Sequence, residues 1–75
     1  MYSAYIQESG NSKSLVILYN GGLAAEFCLP TCDTASCQVN GNRISLITSF
    51  QGWREGLIYV MKEGACVEVQ PMAIC

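Results

Sequence analysis

The chain has no histidine, and among its 75 residues only four are cationic, six are acidic and two are prolines. Without histidine the common Ser-His and Cys-His nucleophile arrangements are impossible, and no catalytic constellation is recognisable. The sequence therefore reads as a non-enzyme with no cofactor. Lys13, Arg43, Arg54 and Lys62 are spread along the chain and interleaved with Glu8, Glu26, Asp33, Glu55, Glu63 and Glu68, for a net charge of −2. Neutralising nucleic-acid phosphates takes clustered Lys and Arg, so a nucleic-acid partner is disfavoured. No stretch nears the roughly 18 consecutive apolar residues of a membrane span. The first residues also lack the basic start and apolar segment of a signal peptide. The expectation is a cytoplasmic protein with no membrane partner.

What the chain has in quantity is apolar side chains, 51% of residues against 13% charged. The charged share is about half that of an average soluble domain. Seventy-five residues make room for one small β domain, residues 1–75, with one core. Surface scaling gives a folded chain of this mass about 4,500 Å² of exposed surface, so a single core cannot hide so many apolar groups. An apolar patch reaching the surface is expected. It implies self-association, as a dimer or tetramer, or a protein partner.

Apolar residues alternate over Tyr2 to Gln7, with Tyr2, Ala4 and Ile6 on one face. Leu15 to Tyr19 is an unbroken apolar run, as in a strand buried on both faces. Asn20-Gly21-Gly22 reverses the chain into Leu23 to Leu29, where Leu23, Ala25, Phe27 and Leu29 should share a face. Pro30 stops that strand, and the small polar stretch Thr31 to Cys37 reads as the longest loop. Asn40-Gly41-Asn42 marks a second hairpin, between Cys37-Gln38-Val39 and Arg43 to Thr48. Thr48-Ser49-Phe50-Gln51 has the spacing of a helix capping box, which predicts one helical turn near Phe50 to Glu55. Leu57 to Met61, the turn Lys62-Glu63-Gly64 and Ala65 to Val69 complete the pattern. The fold class expected is mainly β, a small antiparallel barrel or two-layer sheet of five or six short strands.

Among candidate sites, Cys28, Cys32 and Cys37 place three thiols around one segment. Their spacing is not that of zinc knuckles and no histidine completes the set, so they are weak metal candidates and no metal site is assigned. An odd cysteine count without a leader also argues against an extracellular disulfide framework. The plainest reading packs Cys28 and Cys66 near the core as small hydrophobes and leaves Cys32, Cys37 and Cys75 as loop or tail thiols. Asn20-Gly21-Gly22 joins strand to strand and lacks the following helix that a phosphate-gripping loop needs. Trp53, in Gln51-Gly52-Trp53-Arg54, is expected partly exposed, and Trp beside Arg is a pair typical of binding hot spots. The expected interface residues are Phe50, Trp53, Arg54 and Tyr5.

The leading functional expectation is a non-enzymatic interaction module that self-associates, of the adaptor, inhibitor or mobile-element type. Three alternatives stand beside it. One is a nucleic-acid-binding small barrel using Tyr5, Arg43 and Trp53. The second is a thiol redox or metal-binding protein around Cys28, Cys32 and Cys37. The third is a small-molecule binder at a barrel mouth or subunit boundary.

Overall fold

A computed structural model describes residues 1–73, and every regular element in it is a β-strand. The strands are β1 (Tyr2–Ser9), β2 (Ser12–Tyr19), β3 (Gly22–Cys28), β4 (Thr34–Asn40), β5 (Arg43–Phe50), β6 (Trp53–Lys62) and β7 (Ala65–Pro71). They form two antiparallel meanders, a three-stranded sheet in the order β1-β2-β3 and a four-stranded sheet in the order β4-β5-β6-β7. The sheets stack as two layers in a slab of 36 × 29 × 15 Å, with β1 lying against β4 and β3 only grazing β7. Among the described residues there are seven strands where five or six are expected, the barrel does not close, and each sheet keeps two edges that no other strand pairs.

The short connections follow from local chemistry. Five hairpins each close on two residues, because each turn carries at least one residue at positive φ. That backbone matches the twist of the flanking strands. Only Leu29 to Asp33 is longer, and it carries the chain from one layer to the other.

The core lies where the faces meet. Leu15 and Ile17 of β2 pack on Ile44 and Leu46 of β5 and on Tyr59 and Met61 of β6, all essentially buried. Phe27 of β3 stacks on Tyr59 of β6 with ring centroids 4.6 Å apart, tying layer to layer. The alternation expected of β1 holds, with Tyr2, Ala4 and Ile6 against the core. The central position expected of Leu15 to Tyr19 holds as well, since β2 lies between β1 and β3.

Three expectations need correction. No helical turn exists at Phe50 to Glu55: Thr48 to Phe50 end β5, Trp53 opens β6, and Gln51-Gly52 is a hairpin turn with φ of 51° and 85°. A helix cannot contain that pair of left-handed residues. Moreover, a single turn gains too few bonds to outweigh β-branched and aromatic residues on both sides. Leu23 does not share a face with Phe27, because a bulge at Ile17/Leu18 shifts the register and sets Leu23 opposite Leu18, 67% exposed. Lastly, the stretch to Cys37 is not all loop, since β4 begins at Thr34.

Candidate functional site

The β5–β6 hairpin places alternate residues on its core-facing side. The cross-strand pairs Thr48↔Glu55, Phe50↔Trp53 and Leu46↔Leu57 fall in register there. Leu46 is covered by the other layer, but the residues nearer the turn run past it, leaving Phe50 40% and Trp53 79% exposed. The crossover segment closes the other wall. Pro30, Thr31 and Cys32 face Thr48, Phe50, Trp53 and Glu55 across a cleft of about 300 Å³. A smaller recess of about 180 Å³ continues from it toward the core, lined by Leu29, Leu57 and Tyr59 among others.

Both walls are held by hydrogen bonds. Leu29 N donates to Lys13 O at 2.9 Å, and Asp33 N donates to Ser49 O at 2.7 Å. Lys13 Nζ donates to Cys32 O at 3.2 Å while lying 3.5 Å from Glu8, the single ion pair among the described residues. Gln51 N donates to Asp33 Oδ2 at 2.8 Å, fastening the hairpin turn to the crossover. The cleft is therefore built before anything enters it, and its volume is at the low end for ligand pockets. It has room for one bulky side chain. Glu55 adds a carboxylate to an otherwise apolar and hydroxyl lining.

Of the expected interface residues, the structure brings together Phe50 and Trp53 alone. Arg54 sits opposite Ser49 and points to the outer face of the four-stranded sheet, one step out of phase with Trp53. Tyr5 lies opposite Val16 on the outer face of the other sheet. Arg43 shares the outer face with Arg54, so Tyr5, Arg43 and Trp53 occupy three separate faces and form no common stacking platform. The crossover wall and the Thr48–Glu55 pair were missed by sequence reasoning. Reading Gln51-Gly52 as a two-residue turn would have placed Thr48, Phe50, Trp53 and Glu55 on one face.

The four described cysteines do not converge. Cys28, Cys32, Cys37 and Cys66 are all free, and no group of three or more side chains able to hold a metal comes together among the described residues. Cys28 is exposed at the end of β3 rather than near the core, whereas Cys37 lies on β4 and packs against the core rather than in a loop. Burial pushes the Cys37 thiol above its usual range. Cys66 is half-buried beside the core as expected, and Cys75 lies outside the described residues. Among the described residues no helix is long and apolar enough to cross a membrane.

No protein-family model matches the chain, and no curated protein or solved structure matches it at a significant level. The fold itself defines the class, a two-layer antiparallel β protein with a preformed cleft at one end.

Proposed function

We propose that the protein is a non-enzymatic interaction module that self-associates and offers Trp53 and its cleft to a protein partner. The observation that carries this reading is the balance of large apolar groups. Seven hydrophobic residues are buried in the described chain, while Met1, Tyr5, Leu23, Phe50, Trp53, Leu57, Val67 and Val69 are exposed. The exposed surface is 5047 Å², roughly a tenth above the ~4,500 Å² that scaling gives a monomer of this mass. A thin slab cannot enclose its apolar residues, and a second molecule on its surface would remove them from water. Trp53 beside an apolar cleft has the composition of a binding anchor, since a large ring gains contact area at little conformational cost.

Size-exclusion chromatography with light scattering at micromolar concentration tests the self-association. A mass of two or more chains is expected, and a uniform 8.1 kDa species would remove the proposal.

A further inference from the structure

The two long sides of the slab are built differently. On the β3/β7 side each sheet ends in an irregular ladder, with bulges at Ile17/Leu18 and Val60/Met61. Glu26 lies within β3, and Glu68 and Pro71 lie within β7. Bulges, charges and proline are devices that keep an edge strand from pairing with another chain. The β1/β4 side has almost none of them. The β1–β2 ladder runs unbroken from Tyr2↔Tyr19 to Ser9↔Ser12, and the β4–β5 ladder from Thr34↔Ser49 to Asn40↔Arg43. β4 contains no charge and no proline, and β1 contains only Glu8, near its end and engaged by Lys13.

The turns fix which backbone groups these edges leave free. A pair that closes a two-residue hairpin exchanges both of its hydrogen bonds, and bonding pairs then alternate along the strand. In β4 that phase commits Asn40, Gln38 and Ser36 to β5, so the N–H and C=O groups of Ala35, Cys37 and Val39 face away from β5. In β1 it commits Ser9, Gln7, Tyr5 and Ser3 to β2 and leaves Tyr2, Ala4, Ile6 and Glu8 facing away from it. The bond from Asn20 N to Met1 O, at 2.9 Å, keeps the same phase at the start of β1.

Because β1 lies against β4, the two unprotected edges are stacked on one side of the molecule. We infer that this side pairs with a second copy of the chain, β4 against β4 and β1 against β1, antiparallel about one twofold axis normal to the layers. Such a dimer has continuous sheets of six and eight strands, double the three and four of one chain. A second copy fits better than a single foreign strand for two reasons. Edges whose one charged residue, Glu8, is paired with Lys13 repel each other little, and one twofold axis satisfies both edges together, whereas a lone peptide fills one. Tyr5, exposed on the outer face of β1, then gains a neighbour across the axis. The inference rests on the self-association reading and locates one contact for it, while the exposed Leu23, Val67 and Val69 lie on the opposite edge strands, outside that contact.

Light scattering on the full chain and three variants tests it. Ser36 and Gln38 are exposed on the outer face of β4, and antiparallel pairing sets each near the other in the partner. The double variant Ser36→Lys, Gln38→Lys should weaken the dimer by on the order of tenfold or more, as edge charges do. Glu26→Lys and Glu68→Lys, on the two opposite edge strands, should each leave the mass unchanged. Amide hydrogen exchange on the unaltered chain gives a reading independent of any variant. The amides of Ala35, Cys37 and Val39 should be slow in the assembled state and fast on dilution, while those of Ser36 and Gln38 are slow in both. A dimer that survives the lysine pair, with those amides fast at every concentration, overturns the edge assignment but leaves self-association standing. A monomeric unaltered chain overturns both.

Discussion

Trp53 and Ile44 mark opposite extremes of what a side chain does in this protein. Ile44 is fully buried between the layers, so Ile44→Ala should cost about 2–5 kcal/mol in urea unfolding, the sum of lost transfer and a cavity. Trp53 is 79% exposed, and Trp53→Ala should change stability by no more than about 0.5 kcal/mol in the same unfolding measurement. The thiols separate in the same way. Cys28 is exposed and Cys37 is packed with its thiol pushed up by burial, so alkylation followed by mass spectrometry should mark Cys28 well before Cys37. The sign of the linked pH effect follows from where the proton stays. The fold holds the Cys37 proton above the pH at which an unfolded thiol releases it. The native state then binds more protons, so stability is intact below that pH and declines as pH rises beyond it. Tyr59 acts in the same direction from about pH 10, raised first by burial and then by the Cys66 charge. Thermal melts should show this alkaline decline, and Cys37→Ala should flatten its first part.

Among the elements, the hairpin turns govern where strands begin and end. Gly64 has φ of 83°, and a Cβ there would come within 3.1 Å of the Tyr19 ring. Its N–H donates to Tyr2 Oη at 2.9 Å, and the Tyr2 ring packs on Tyr19 at 4.7 Å between centroids. This turn therefore locks one layer to the other, and Gly64→Ala should cost about 1–3 kcal/mol from strain and displaced aromatic packing. Gln51 is a long side chain held at φ 51°, a conformation that Asn accepts more readily. Gln51→Asn should raise stability by about 0.5 kcal/mol, read as a shift in the denaturation midpoint with unchanged slope. Strand existence was legible in the alternation of Tyr2 to Gln7 and in the apolar runs of β2 and β6, because burial writes a period of two into a strand. The hairpin at Gln51-Gly52 was not, since the spacing from Thr48 to Gln51 suits both a helix cap and the last residues of a strand.

At the scale of the whole molecule, the shortage of charge and the slab shape act together. A thin two-layer fold has much surface per unit of core, and the surface here is rich in apolar residues. If association runs through backbone bonds and apolar contacts at the β1/β4 edge, raising NaCl from about 0.05 to 0.5 M should not lower the native mass, because screening acts on charges. An interface built on Arg54 or Glu55 would weaken under the same change. The flatness also explains why only part of the candidate site was foreseen. Exposure of Trp53 is readable from an aromatic beside a glycine turn, but its opposing wall of Pro30, Thr31 and Cys32 comes from another part of the chain.

By itself the sequence determined most of the strands, three of the five hairpin reversals and the apolar excess, all of which are local or compositional quantities. Residue types, their period of two and the glycine turns carry that information without reference to distant residues. Only the tertiary structure decided that the meanders stack as an open pair of layers, that Arg54 and Tyr5 point away from Trp53, and which edges remain unprotected. Those outcomes depend on register and on the packing of Leu15 and Ile17 against Ile44, Leu46, Tyr59 and Met61. A bulge of one residue, as at Ile17/Leu18, is enough to turn a side chain from one face to the other.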